Sequence, residues 1–246
     1  MFLRSQLFET YGHHGIFSRR HGGYSPAPWD SLNLGLDLGD QPDAVHSNLE
    51  RLCDNAKLPM PHRSVQVHGT DVLCCQDSGM QHDAAADVLI STQPHCTLAV
   101  RTADCLPILL VDTQHGIHAA VHAGWRGSAA QIVHIAVQQM QQRGAQTSSI
   151  LASLGPCIQS CCFEVDHNTA QALEHTHPKA SQAIRYNTDK AYPDLQAINR
   201  LQLLASGILP KHIETFPICT CCTPEHFFSW RRDGKHSGRM LAIVQA

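Results

Sequence analysis

Residues 97–127 read TLAVRTADCLPILLVDTQHGIHAAVHAGWRG, three short apolar runs broken by turn residues. Thr97 to Arg101 has the character of a strand, Thr102 to Pro107 of a bend, and Ile108 to Asp112 of a second strand. Gln114-His115-Gly116 turns the chain into a third strand, Ile117 to His122. Past Gly127 the period lengthens, and Ala129, Ile132, Val133, Ala136, Val137 and Met140 share one helical stripe that ends at Gly144. His122 thus sits where a strand hands over to a helix. The Cys-Asp pair in the bend and the Gly-Trp-Arg-Gly turn are not needed merely to fold, so this stretch is the centre of a candidate site.

Outward from it, the same mixture continues. Phe17 to Asp40 is rich in Gly, Pro, Ser, Asp and Asn, a long loop of the kind that lines or covers a site. Asp43 is placed to cap a helix carrying Val45, Leu49, Leu52 and Cys53 on one side. Ser64 to His68 alternates as a half-buried strand, with Val65 and Val67 on one face and Gln66 and His68 on the other. Ile150 to Leu154 reads as a strand, Asp166 caps a helix through Leu173, and Asp194 to Ser206 is amphipathic until Gly207 and Pro210. Strands are expected around Ile213 to Ile218 and Arg239 to Val244. With no repeat and no linker, residues 1–246 are expected to form one α+β domain.

Composition narrows the class. The 246 residues carry 18 Lys and Arg against 21 Asp and Glu, a formal charge of -3, which offers no field for nucleic acid or a membrane surface. The opening MFLRSQLFETYGHHG lacks the apolar core of a signal peptide, and Leu106 to Val111 is too short to span a bilayer. Eleven cysteines and 18 histidines, with vicinal cysteines ill suited to disulfide geometry, suggest a reduced, cytoplasmic, metal-binding enzyme acting on a small molecule.

His68, Cys105 and His122 form a Cys/His₂ set, ligand types that zinc takes at catalytic sites with a fourth position open. They lie far apart in sequence and must converge through the tertiary fold. His118 and His122 cannot share an ion, because four residues of strand span about 13 Å. Gly124-Trp125-Arg126-Gly127 at a helix start offers backbone N–H groups and a guanidinium to an anion, or else Arg126 pairs with a local acid such as Asp104. Cys157, Cys161, Cys162, Cys219, Cys221 and Cys222 could build a structural zinc site, although together they lack the doubled two-residue spacing of a zinc ribbon, and buried free cysteine is the commoner fate. Copper oxidases want recurrent His-x-His motifs, and only His175-Thr176-His177 is present.

TADCLPILL, HAGWRG, GPCIQSCCFEV and FFSWRRDGKHSGR, in this order, resemble the YfiH family, as do FSRRHGGYS…SLNLG and QVHGTDV. Its members were once described as laccase-domain polyphenol oxidases and are now described as zinc-dependent purine nucleoside phosphorylases. The resemblance covers nearly the whole chain. It implies a layered α+β sandwich of mixed sheets flanked by helices, similar to the catalytic domain of cytotoxic necrotizing factors. It also implies that His68, Cys105 and His122 hold the metal. The implied reactions are phosphorolysis of adenosine, inosine, guanosine and methylthioadenosine, and deamination of adenosine; peptidoglycan-precursor editing is attached to some members. Arg19, Gln159, Pro193 and Trp230 depart from the family pattern, where a small hydroxyl residue, a glycine, an aliphatic and a tyrosine are usual.

On this reading Arg20, Arg126 and Arg232 hold phosphate or ribose, Ser31 and Asn33 contact the nucleoside, and Asp104 is the nearest proton carrier, or alternatively a structural pairing partner. The zinc-deaminase signature with its catalytic Glu and Pro-Cys-x-x-Cys is absent. Two rivals stand beside it. Cys105 with His122 as base would make a cysteine hydrolase or amidase acting on peptidoglycan precursors. A copper-binding polyphenol oxidase, or a metal-storage module without turnover, is the other.

Overall fold

A computed structural model describes residues 1–36 and 38–246. Along the chain run β1 (Phe2–Arg4), α1 (Gln6–Thr10), β2 (His14–Ser18), α2 (Pro42–Ala56), β3 (Arg63–Val65), β4 (Val72–Cys74) and β5 (Gln81–Ala85). Then come β6 (Val88–Ser91), β7 (Leu98–Thr102), β8 (Leu106–Asp112), β9 (His118–Ala123), α3 (Trp125–Ala129), α4 (Ile132–Gln142) and β10 (Ile150–Leu154). The last third holds α5 (His167–Glu174), β11 (Ile184–Tyr186), β12 (Ala191–Pro193), α6 (Leu195–Ala205), β13 (Ile213–Thr215), α7 (Trp230–Asp233) and β14 (Met240–Gln245).

Two sheets stack between helices. One is four-stranded and antiparallel, in the order β1-β2-β14-β7; the other is six-stranded and mixed, in the order β13-β10-β8-β9-β6-β4. Side-chain alternation along each strand builds the layers. Leu109 and Val111 of β8 meet Val100, Ala242 and Val244 of the smaller sheet in the apolar layer between the two. Ile108 and Leu110 face the opposite way, onto Ile132, Val133, Val137 and Met140 of α4 and Ile198 and Leu203 of α6. Leu241 and Ile243 of β14 point outward onto Leu49, Leu52 and Cys53 of α2. The architecture is therefore a helix–sheet–sheet–helix sandwich, the expected α+β class. Because β8 and β9 are covered on both faces, every residue in them is buried and their sequences lose the polar half of the alternation.

The helical readings are accurate in extent, and their caps follow from residue chemistry. Asp166 and Asp194 each accept a backbone N–H of the first turn, from Thr169 and Ala197. In α2 the cap is Gln41 with Pro42 in the first turn, so Asp43 lies inside the helix near its positive end instead of capping it. The stripe after Gly127 is split into α3 and α4 by Gln131, which adopts a left-handed conformation (φ 56). Among the described residues no helix is long and apolar enough to cross a membrane.

Ser64 to His68 departs from its alternation. Only Arg63–Val65 is strand, Ser64 is buried, and Val65 and Val67 are 42% and 52% exposed. Gln66 turns inward, its Nε2 donating to the Arg101 carbonyl (2.8 Å) and its Oε1 accepting the Arg101 N–H (2.7 Å). That amide substitutes for strand pairing and fastens the start of the 66–71 segment to β7. The early strands β1 and β2 and the strands β4 and β6, which periodicity does not single out, extend the two main sheets to the edges β1 and β4, while β5 pairs with β3 in a separate two-stranded sheet.

Candidate metal centre

Three segments end at one place: the bend between β7 and β8, which crosses from one sheet to the other, the end of β9, and the 66–71 segment. They bring together Cys105, His122 and His68, with donor atoms all within 4.8 Å of one another. Cys105 Sγ lies 3.7 Å from His68 Nε2, and the two imidazole centroids are 4.9 Å apart at an interplanar angle of 70°.

Asp87, just before β6, organises this set. It is fully buried, and its carboxylate accepts the backbone N–H groups of Val67 (3.1 Å), His68 (3.1 Å) and Gly69 (2.7 Å). It also lies 2.7 Å from His122 Nδ1. With Nδ1–H donating to Asp87, His122 Nε2 is turned to the centre, the arrangement that orients metal-bound histidines. His68 has φ 59, a left-handed conformation uncommon outside glycine and asparagine, and the three amides bound by Asp87 hold it there.

The donor set fits a thiophilic divalent ion. A Cβ at Gly124 would lie 2.9 Å from His68 Cδ2 and 3.2 Å from Cys105 Sγ, so the bare glycine keeps both donors in place. Electrostatics agree. Burial alone would raise the Cys105 thiol, but the His122 cation beside it and hydrogen bonds from both histidines bring it down to about 6. Burial opposes charge on His122 as well, yet the Cys105 thiolate and the Asp87 carboxylate raise it to about 9. At neutral pH the metal-free pair is therefore a thiolate beside an imidazolium: the sulfur is already in its ligating form, and metal binding displaces the Nε2 proton of His122.

The three donors open onto a cavity of about 570 Å³, within the range of small-molecule sites. Trp125, Phe163 and Trp230 supply aromatic walls, Leu36 and Leu38 of the long loop supply apolar cover, and Arg101, Arg231 and Arg239 supply the cations. Arg231 is spent on the carbonyls of Cys162 and Glu164. The guanidinium of Arg239 donates to the carbonyls of Ser237 and Gly238 and lies 5.4 Å from the Trp230 ring centre. Burial and then repulsion from Arg101 lower its pKa.

The other residues singled out from sequence have different work. Asp104 lines the cavity, but its carboxylate accepts from Thr220 Oγ1 (2.6 Å), Ser229 Oγ (2.9 Å) and the Arg231 N–H (2.6 Å), the structural role of its two readings. Arg20, Ser31, Asn33, Arg126 and Arg232 are not among the cavity-lining residues. Arg20 lies over the Phe228 ring and binds the carbonyls of Asp30 and Pro224. Ser31 Oγ accepts from Gly22 and Gly23. Arg232 donates to the carbonyls of Thr220, Cys221 and Phe227. Arg126 is exposed and stacks 4.4 Å over its neighbour Trp125, and the helix behind it is only five residues long. Asn33 is buried and accepts the N–H of Arg239 (2.9 Å), so it positions that residue's backbone.

Asp87, Arg101 and Arg239 were not visible as site residues from spacing. Arg239 lies in the FFSWRRDGKHSGR motif and Arg101 four residues before Cys105, the only signals that pointed to them. His118 is structural: its ring nitrogens lie 3.0 Å from the Gly116 carbonyl and 2.7 Å from that of Cys96. His175 and His177 of the single His-x-His motif belong to none of the clustered donor groups found among the described residues.

The chain is similar to known proteins over nearly its whole length. Purine nucleoside phosphorylase YlmD of Geobacillus stearothermophilus is 38% identical over 92% of this chain and 87% of its own. Its crystal structure superposes with a TM-score of 0.89 over 99% of this chain and 95% of that one, at 34% identity. Purine nucleoside phosphorylase YfiH of Escherichia coli is 39% identical over 92% of this chain and 91% of its own. Adenosine deaminase RL5, from an unknown prokaryotic organism, is 35% identical over 87% of this chain and 78% of its own. Residues 14–246 match the family described as multi-copper polyphenol oxidoreductase laccase, and the chain belongs to this laccase-like YfiH family.

Proposed function

We propose that the protein is a zinc-dependent purine nucleoside phosphorylase acting on adenosine, inosine, guanosine and methylthioadenosine, with adenosine deamination as a second activity of the same site. The observation that carries this reading is the three-donor centre at the base of a cavity that also holds aromatic walls and two neighbouring arginines. The names of the phosphorylase relatives and of the RL5 deaminase support it.

Zinc held by His68, Cys105 and His122 would supply Lewis acidity and an open coordination position. The chain's own residues do the rest. Trp230 and Trp125 offer flat apolar faces to a purine, which binds by stacking and loss of water. Arg101 and Arg239 draw phosphate to the cavity and lower the repulsion between their own charges when it binds. Leu36, Leu38 and Phe163 restrict water around the reacting bond. Asp87 keeps His122 in one tautomer and orientation.

Chromatography of adenosine incubated with the protein tests the proposal. Adenine formed only with phosphate supports phosphorolysis, inosine formed without phosphate supports deamination, and intact adenosine in both refutes the nucleoside reading. The low pKa of Cys105 is the one observation that favours the cysteine-hydrolase alternative. Chelation separates the two, since it abolishes zinc-dependent turnover and frees a nucleophilic thiolate.

A further inference from the structure

β10 and β13 are parallel neighbours, paired Ala152 to Ile213 through Leu154 to Thr215. Two loops therefore leave the same end of the six-stranded sheet side by side, and Cys157 and Cys219 extend the pairing as an isolated bridge. One loop carries Cys161-Cys162, and the other carries Cys219-Thr220-Cys221-Cys222, a Cys-x-x-Cys step. Cys161, Cys162, Cys219 and Cys222 converge with all four sulfurs within 4.8 Å of one another. Cys222 Sγ lies 3.2 Å from Cys162 Sγ and 3.5 Å from Cys161 Sγ.

Burial in the core accounts for only part of this cluster, and a disulfide for none of it. Cys219 is buried in the core and the half-buried Cys162 packs against it, but Cys161 and Cys222 are exposed, unlike the buried Cys53, Cys75 and Cys96. The sulfur separations exceed the S–S bond of about 2.05 Å. The two shortest given, 3.2 and 3.5 Å, fall a little below the spacing of about 3.8 Å that a tetrahedron of sulfurs takes around zinc at about 2.3 Å per Zn–S bond, and all pairs lie within 4.8 Å. Two amides already donate to Cys219 Sγ, Gln159 N–H at 3.4 Å and the N–H of Cys222, as amides do to a thiolate ligand. Four thiolates around a divalent ion carry net negative charge, and cations stand beside them. The guanidinium of Arg231 binds the Cys162 carbonyl (2.9 Å), and that of Arg232 binds the Cys221 carbonyl (3.1 Å).

We propose that Cys161, Cys162, Cys219 and Cys222 form a second metal site, a closed tetrathiolate zinc site that clips the two loops together, separate from the His68–Cys105–His122 centre. All-sulfur tetrahedral donors select zinc over hard cations, and the absence of an open position makes the role structural. The clip lies behind the cavity wall. Thr220, between two of its loop's cysteines, holds Asp104 Oδ1, and Ile158 N–H holds the Asp104 carbonyl, so the loops fix the bend that carries Cys105.

The test uses full-length His122→Ala protein, which lacks a ligand of the other centre, purified under reductant and equilibrated with zinc. It is expected to retain one equivalent of zinc, with an X-ray absorption first shell of four sulfurs at about 2.3 Å. Adding Cys222→Ser is expected to weaken that zinc at least a hundredfold against a competing chelator. In the wild-type background, Cys222→Ser is expected to leave one equivalent at the centre with mixed nitrogen and sulfur ligands. The proposal is overturned if His122→Ala binds no zinc, if its zinc shows nitrogen or oxygen ligands, or if Cys222→Ser leaves its affinity unchanged. It is also overturned if the four cysteines are found as disulfides in the reduced preparation. Loss of nucleoside turnover in His122→Ala bears only on the other centre.

Discussion

Asp87 Oδ1 stands 2.7 Å from His122 Nδ1, and this single carboxylate also accepts three consecutive amides from the segment that carries His68. One buried acid thus sets the orientation of two of the three candidate ligands. Its pKa is lowered: burial works against the charge, but the His122 hydrogen bond and the amides outweigh it.

Asp87→Asn preserves volume and removes the charge and one acceptor. Metal affinity is expected to fall about 10- to 100-fold, the usual cost of losing a group that orients a ligating histidine. Competition against a chromogenic chelator measures it, and affinity within twofold of wild type would contradict the role.

Gly124→Ala introduces a Cβ 2.9 Å from His68 Cδ2 and 3.2 Å from Cys105 Sγ. Gly124 has φ -68, so the backbone accepts alanine and the effect is purely steric. The variant is expected to fold normally by circular dichroism and to lose at least tenfold in metal affinity at this centre.

Periodicity made the three central strands, α2 and α6 readable, and residue type made the three ligands readable. Those signals are local. Asp87 is a single acid before a short strand, and its function exists only once the 66–71 segment arrives from elsewhere. Val65 and Val67 misled because Gln66 replaces strand pairing with its own amide, which inverts the faces. The arginines misled for a related reason: a guanidinium is as useful for binding loop carbonyls, as in Arg20 and Arg232, as for binding substrate.

The pH response of Cys105 follows from its neighbours. In metal-free protein its alkylation by iodoacetamide is expected to rise with pH through a midpoint near 6, because the thiolate forms there. His122→Ala removes the cation that favours the thiolate, so the midpoint moves up toward the ordinary thiol value. Cys53, pushed up to about 11 by burial, stays unreactive over this range. Zinc-loaded protein is expected to show protection of Cys105 throughout.

The arginines divide by location. Arg239→Ala is expected to raise KM for phosphate about tenfold or more, the worth of a charge-assisted hydrogen bond. Arg126→Ala, on an exposed residue stacked away on Trp125, is expected to leave that KM within about twofold. Arg20→Ala removes the ring contact with Phe228 and two carbonyl bonds, so it is expected to lower the melting temperature with KM for phosphate unchanged.

The most direct measurement is zinc titration into metal-stripped protein while adenine release from adenosine is followed with and without phosphate. The expected result is phosphate-dependent release that appears with zinc in the wild type and remains absent in His122→Ala at every zinc concentration. Release that is equal in stripped and loaded protein, or equal in wild type and His122→Ala, would contradict a metal-dependent phosphorylase centred on His68, Cys105 and His122.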